Sequence, residues 1–240
     1  MRVIHCLASL GALAAILFGQ PAKAQSPGPE LVYTQIQPCR AFGSMQIPKG
    51  QTRNLQITGA GNFATQGGPV SGCGIPASAE AVSISLSARS SSVGFLTAFA
   101  QGAPQPGANS LSFGANQTQT AGSIVAVGST GQISINASQS ATLYGDVTGY
   151  YAAQIRVRAD GAGQVQSKTD RVLSVEKRGT GSYRVFVDRD VSECVGVAST
   201  AVSIYVPAVA SAGSFMDVYI RNVAADQALT NAGFMLLIAC

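Results

Sequence analysis

Apolar and polar residues alternate along short segments throughout the chain, and this pattern restricts the fold to one built from β-strands. The alternating segments are residues 82–87, 133–135, 183–187, 202–206 and 216–221. A period of two residues is typical of strands with one buried face. Clusters of glycine, proline and serine between the segments indicate turns, and no segment has the spacing of an amphipathic helix. The sequence therefore predicts an all-β fold of short antiparallel strands, arranged as jelly-roll-like β-sandwiches.

The first 24 residues have the features of a secretory signal peptide. Arg2 and His5 form a basic start, residues 6–19 are apolar, and Ala22-Lys23-Ala24 places small residues at a cleavage site. The apolar run is too short to span a bilayer, and no later segment is longer. We therefore expect a signal peptide over residues 1–24, a mature chain from residue 25, no transmembrane anchor, and an extracellular or periplasmic location.

Cleavage would remove the only histidine of the chain, His5. Its loss excludes serine–histidine and cysteine–histidine catalysis and histidine-ligated zinc. Ser174 and Lys177 match a serine–lysine nucleophile motif, but on a strand they point to opposite faces. The formal net charge of +4 is too small for a nucleic-acid-binding surface. The sequence thus predicts a protein that is not an enzyme, has no cofactor and does not bind nucleic acid.

Charge density changes near Tyr151. Residues 25–151 contain seven charged side chains, whereas the shorter segment 152–240 contains seventeen. Both segments fit ordinary domain sizes. We therefore expect two consecutive β-sandwich domains, over residues 25–151 and 152–240.

Four cysteines remain after cleavage: Cys39, Cys73, Cys194 and Cys240. An even number in an oxidising compartment predicts disulfides, for which three pairings are possible. The expected domain boundary favours Cys39–Cys73 and Cys194–Cys240, since each bridge then lies within one domain. A metal site of four cysteines is disfavoured because no two of them are separated by only two residues.

Tyr144, Tyr150 and Tyr151 are the candidate ligand-binding residues. They cluster at the end of the first predicted domain, in a chain with seven tyrosines and no tryptophan. Exposed aromatic rings can cover the apolar faces of sugars, so the cluster is a candidate sugar platform. The alternative is that Tyr150 and Tyr151 pack the seam between the two domains.

Asp188 and Asp190 form a candidate calcium site. If their strand continues, residues two apart share a face, and Asp217 or Asp226 could complete a set of oxygen ligands. The alternative is a solvated edge in which these carboxylates pair with Arg184 or Arg189.

Several motifs in the first half resemble a widespread bacterial secreted β-domain. They lie at residues 37–40, 73–76, 94–97, 106–113 and 146–151, and correspond to a PCR motif, a GxP motif, two strand motifs and a terminal DVxGYF. The family usually continues PCR as DTR, where this chain has Ala41-Phe42-Gly43, so the acidic–basic pair of that motif is absent. The resemblance implies secretion and a β-fold, beside cell-wall-active and other extracellular modules, with no activity defined for the domain itself.

The second half resembles a GxYxVxFDRDVSxC block that ends secreted and phage-tail-like bacterial proteins. Residues 180–194 carry the block, and residues 234–240 match its closing apolar strand and terminal cysteine. The resemblance supports the Cys194–Cys240 pairing and implies no enzymatic activity.

These features favour a secreted, non-catalytic binding or adhesion protein whose partner is an extracellular or envelope polysaccharide. The alternative is a structural subunit of an extracellular or envelope assembly, because low charge and exposed strand edges suit self-association. The sequence does not separate the two hypotheses.

Overall fold

The computed structural model describes residues 30–240. The predicted signal peptide, residues 1–24, lies outside the described residues. Within residues 30–240 the chain forms seventeen β-strands and two short 3-10 turns, Ala64–Gln66 and Val223–Ala225. The predicted all-β, antiparallel fold is confirmed. No helix among the described residues has the length and apolar character needed to cross a membrane.

The first half contains eight strands in two four-stranded sheets. They are β1 (Leu31–Ile47), β2 (Thr52–Gln56), β3 (Ala79–Arg89), β4 (Gly94–Ala100), β5 (Leu111–Phe113), β6 (Thr118–Ala126), β7 (Gln132–Ala137) and β8 (Ala141–Ala153). One sheet has the order β1-β8-β3-β6 and the other β2-β7-β4-β5. Consecutive strands alternate between the two sheets over much of the half, which is the topology of a jelly roll.

The second half contains nine strands in two further sheets. They are β9 (Ile155–Ala159), β10 (Val165–Lys168), β11 (Val172–Gly179), β12 (Ser182–Val187), β13 (Val195–Thr200), β14 (Tyr205–Ala212), β15 (Phe215–Asn222), β16 (Ala228–Leu229) and β17 (Phe234–Ala239). One sheet has the order β10-β9-β17-β13. The other has the order β11-β12-β15-β14, with β16 also paired to β15. This strand order differs from that of the first half.

Each half has its own hydrophobic core between its two sheets. The first core includes Phe42, Leu55 and Ile84, and the second includes Tyr183 and Val218. The alternating residues of β3, β12 and β15 supply inward side chains to these cores, as their sequence pattern predicts. A single residue, Gln154, separates β8 from β9. The predicted domain boundary after residue 151 falls inside β8, two residues before the strand ends.

The cysteines pair within the halves, in the predicted connectivity. Cys39 and Cys73 have Cα atoms 5.7 Å apart, and Cys194 and Cys240 have Cα atoms 4.3 Å apart. The first distance is typical of a disulfide, and the second is close to the lower limit of the usual range. The second pair ties the end of β17 to the segment that precedes β13.

The predicted strand over residues 202–206 is wrong for most of its length. Residues 201–204 form a turn, closed by the N–H of Tyr205 donating to the carbonyl of Val202 at 3.1 Å, and β14 begins only at Tyr205. Tyr205 packs against the core, while Val202, Ile204 and Val206 are exposed. The alternation is present, but its apolar side faces solvent.

Candidate binding site

The outward side of the β1-β8-β3-β6 sheet carries a regular set of hydroxyl groups, which we call the hydroxyl face. Its residues alternate with the core residues of the same strands and are Ser83, Ser85 and Ser87 on β3, Thr118 and Thr120 on β6, and Thr142, Tyr144 and Asp146 on β8. The hydroxyls of Ser87 and Thr120 are 2.7 Å apart across neighbouring strands. The side chain of Gln46 donates to the Thr142 hydroxyl at 2.7 Å. Apart from the exposed Ile124 of β6, opposite Ser83, the face is therefore mainly polar, and cross-strand hydrogen bonds hold it in place.

An arginine, an aspartate and a tyrosine form a cluster on this face, between the edge strand β1 and its neighbour β8. Arg40 on β1 lies directly opposite Asp146 on β8 and binds it through two hydrogen bonds, of which the Nη2–Oδ2 bond is 3.0 Å. The guanidinium also lies 5.3 Å from the ring centroid of Tyr144, a cation–π distance. The Ser44 hydroxyl donates to the Tyr144 hydroxyl at 3.4 Å. The hydrogen bond to Asp146 raises the pKa of Arg40 above its ordinary value.

A β-bulge decides where the other two candidate tyrosines point. β8 gains one unpaired residue, Thr148, because Val147 lies opposite Ile84 and Gly149 opposite Ser83. A bulge shifts the alternation of faces by one residue. Tyr150 therefore turns into the first core, where it is 3% exposed.

Tyr151 faces outward and pairs with a tyrosine that the sequence analysis missed. The rings of Tyr151 and Tyr33 lie 5.2 Å apart, and the Tyr33 hydroxyl donates to the Thr148 carbonyl at 3.2 Å. A Cβ atom at Gly149 would come within 2.4 Å of the Tyr33 ring, so a side chain at this position would displace that ring. Of the three candidate tyrosines, Tyr144 and Tyr151 thus share the hydroxyl face, and they lie about 20 Å apart along β8.

The second half contains a similar cluster. Arg184 on β12 lies opposite Asp217 on β15 and binds it through hydrogen bonds of 2.8 and 2.9 Å. Its guanidinium lies 3.6 Å from the ring centroid of Phe215. In both halves the aromatic residue precedes the aspartate by two positions and a valine follows it: Tyr144-x-Asp146-Val147 and Phe215-x-Asp217-Val218. This shared spacing is a sequence signal for the aromatic residue and the aspartate of each cluster, but it does not indicate which arginine joins them.

Asp188 and Asp190 do not meet in the structure. β12 ends at Val187, so the strand that would have placed both carboxylates on one face does not continue. Asp188 instead binds the Nε of Arg171, at 3.2 Å, and the Ser78 hydroxyl. Asp190 accepts the backbone N–H of Ser192 at 2.8 Å, and this hydrogen bond lowers the pKa of Asp190. No group of three or more potential metal ligands occurs within residues 30–240. The alternative prediction, that Asp188 pairs with Arg184 or Arg189, is wrong, because the partner of Asp188 is Arg171.

The serine–lysine motif lies on β11, as expected. Ser174 pairs opposite Phe186 and Lys177 opposite Tyr183. Because Tyr183 points into the core and Phe186 does not, the two motif side chains belong to opposite faces. The strand therefore does not present them as a nucleophile and base.

No protein-family model matches the chain, and no curated protein matches it significantly. The hydroxyl face carries a combination of groups that can recognise a ligand. It presents a bidentate charge pair, neighbouring hydroxyls and two aromatic positions on one sheet surface. Such a surface can donate to and accept from the hydroxyl groups of an extended ligand while a ring covers an apolar part of it.

Proposed function

We propose that this chain is a secreted, non-catalytic binding protein that attaches to an extracellular or envelope polysaccharide through the hydroxyl face. The observation that carries the proposal is the cluster of Arg40, Tyr144 and Asp146 beside the hydroxyls of β3. The two disulfides support an oxidising compartment outside the cytoplasm.

The cluster suits a sugar polymer because a sugar offers both hydroxyl groups and apolar ring faces. Arg40 and Asp146 fix each other, so their remaining N–H groups and oxygen lone pairs are oriented before a ligand arrives. Charged hydrogen-bonding groups bind hydroxyls more strongly than neutral ones. Tyr144 supplies a ring beside them, and the Tyr33–Tyr151 pair supplies a second aromatic position on the same face. The distance between these positions favours an extended chain over a single sugar.

A hydrolytic role would need a second carboxylate, about 5–9.5 Å from the first. Residues 25–153 contain only Glu30, Glu80 and Asp146 as carboxylates. Asp146 is held by Arg40 in a bidentate pair, which leaves it suited to binding and poorly suited to acting as an acid. We therefore propose binding without catalysis.

Replacing Tyr144 by alanine should weaken polysaccharide binding about tenfold, because the variant loses the aromatic ring beside Arg40. Affinity electrophoresis in gels that contain cell-wall or exopolysaccharide, after a glycan array has chosen the polymer, measures the change. Tyr219→Ala is the matched control, since Tyr219 is also half-buried on a sheet surface but belongs to the second half. Failure of every polymer to retard the protein, or an equal loss in the control, would contradict the proposal.

A second candidate function, a subunit of a self-associating assembly, is favoured by the edge strand β6. Its nine residues, TQTAGSIVA, contain no charge and no proline, and Ile124 is 66% exposed. Long uncharged edge strands can pair with another copy. Sedimentation velocity should then show concentration-dependent dimers that Ile124→Lys converts to monomers. A strict monomer at high concentration would remove this candidate.

A further inference from the structure

The outward side of the β10-β9-β17-β13 sheet combines exposed apolar side chains with two exposed arginines. We call it the cationic face and define it by Val195 and Val197 on β13, Met235 and Leu237 on β17, and Arg156 and Arg158 on β9. Val195 is 66% exposed, Val197 59% and Met235 46%. The pairing places Leu237 between Val197 and Arg156, and Met235 between Ser199 and Arg158. The apolar side chains therefore form a stripe with the arginines along one side.

The arginines of this face lack counterions within residues 30–240. Each of the four ion pairs in this part of the chain involves another arginine: Arg40, Arg171, Arg178 or Arg184. Neither Arg156 nor Arg158 makes a side-chain hydrogen bond to another described residue. Lys168, beside them at the sheet edge, donates to the carbonyl of Val172 and not to a carboxylate.

A shallow depression of about 560 Å³ lies on this face. Its lining includes Arg156, Arg158, Lys168, Val197 and Met235, and no carboxylate. A partner seated there would contact the two outward arginines and an apolar surface together, whereas Lys168 pairs opposite the core residue Val157 and points away from this face. Charge complementarity therefore requires a partner that is anionic and apolar at neighbouring positions.

We propose that the cationic face docks the protein onto the surface of an anionic lipid bilayer. Guanidinium groups bind phosphate through paired N–H bonds, and juxtamembrane cations are attracted to anionic headgroups. The valines and Met235 reach the boundary between headgroups and acyl chains, where apolar side chains gain from leaving water.

Other occupants fit this face less well. A second copy that presents the same face would bring no carboxylate to it, so the arginines of both copies would stay without counterions. A soluble anionic polysaccharide would pair with the arginines but would leave the exposed valines in water. An anionic lipid surface offers partners to both the arginines and the exposed apolar side chains of this face.

Flotation with vesicles tests the proposal. The protein is purified in the form that the producing cell releases. It is mixed with phosphatidylcholine vesicles that contain roughly one-third phosphatidylglycerol and, in a parallel sample, with pure phosphatidylcholine vesicles. We expect binding to the anionic vesicles, and a marked loss of it when salt is raised to about 0.5 M, since salt screens exposed charges. Each arginine near the surface contributes about a fivefold gain, so Arg156→Gln with Arg158→Gln should weaken binding about 25-fold. The control Arg53→Gln with Arg89→Gln removes the same charge from exposed positions in the first half.

A second variant separates lipid from other anionic partners. Val197→Thr with Met235→Thr keeps strand-forming residues at exposed positions and should weaken vesicle binding severalfold without changing the charge. Thermal unfolding monitors the fold of all variants. The proposal is overturned if the protein ignores anionic vesicles, if both arginine pairs weaken binding equally, or if only a soluble polyuronate binds and the threonine variant binds it normally. A dimer that the threonine variant abolishes, without vesicle binding, would assign the face to a second copy instead.

Discussion

Replacing Asp188 by alanine should lower the free energy of unfolding by about 3–5 kcal/mol. Arg171 and Asp188 form an ion pair whose side chains are only 4% and 10% exposed. Arg171 also donates to the carbonyl of Ala153 at 3.5 Å, and its Nη2 has no hydrogen-bond partner within residues 30–240. Removal of the carboxylate would leave a buried cation without a counterion, which costs far more than the loss of an exposed pair. Chemical denaturation, followed by circular dichroism, measures the change.

Two control variants distinguish the effect of a buried unpaired charge on stability from the effect of losing an ion pair as such. Glu176→Ala breaks the Arg178–Glu176 pair, which is about half exposed on both sides, and should cost at most about 1 kcal/mol. The double variant Arg171→Met with Asp188→Ala removes both buried charges and should recover most of the stability, because apolar replacement of a buried pair is often neutral. An Asp188→Ala variant no less stable than Glu176→Ala would show that this pair is solvated and not structural.

Loss of the Cys194–Cys240 bridge should destabilise the second half by about 4 kcal/mol. The bridge closes a long loop, with a sequence separation of 46, and the unbridged chain regains the entropy of that loop when it unfolds. It also fixes the end of β17, which would otherwise fray. The variant Cys194→Ala with Cys240→Ala removes the bridge without leaving a reactive thiol.

The matched variant Cys39→Ala with Cys73→Ala removes a bridge with a sequence separation of 34 from the first half. Hydrogen exchange, measured peptide by peptide, reports each half separately. We expect each variant to lose protection mainly in its own half, because the two cores are separate. Equal loss in both halves for either variant would show that the chain unfolds as one cooperative unit and would contradict the two-domain interpretation.

Alternation predicted the strands that have one regular buried face, and it failed where the backbone departs from a regular ladder. The sequence predicts β3, β12 and β15 well, because their inward residues follow a period of two. β1 contains three register shifts against β8, so its sequence shows no continuous alternation and Tyr33 was missed. The bulge at Thr148 likewise reverses Tyr150 and Tyr151. A bulge adds one residue without a distinctive residue type, and for this reason pattern analysis does not locate it.

The candidate site depends on pairs that are distant in the chain. Arg40 and Asp146 lie 106 positions apart, and nothing local in the sequence indicates that β1 will pair with β8. The disulfides were easier to predict. The oxidising compartment and the even number of cysteines predict that bridges form, and the domain boundary inferred from the change in charge density favours one pairing. Asp188 shows the opposite case: its partner, Arg171, comes from the segment before β11 and not from the adjacent arginine that the sequence suggests.

The position of β17 fixes the order in which a newly made chain can complete its fold. β17 is a central strand between β9 and β13, although it is made after both of them. The first eight strands are all present once residue 153 has been made. In contrast, the edges of β9 and β13 that pair with β17 stay unpaired until residues 234–239 have been made. Unpaired edges invite pairing with other chains. A message that stops before residue 234 should therefore yield aggregates instead of a shorter stable protein.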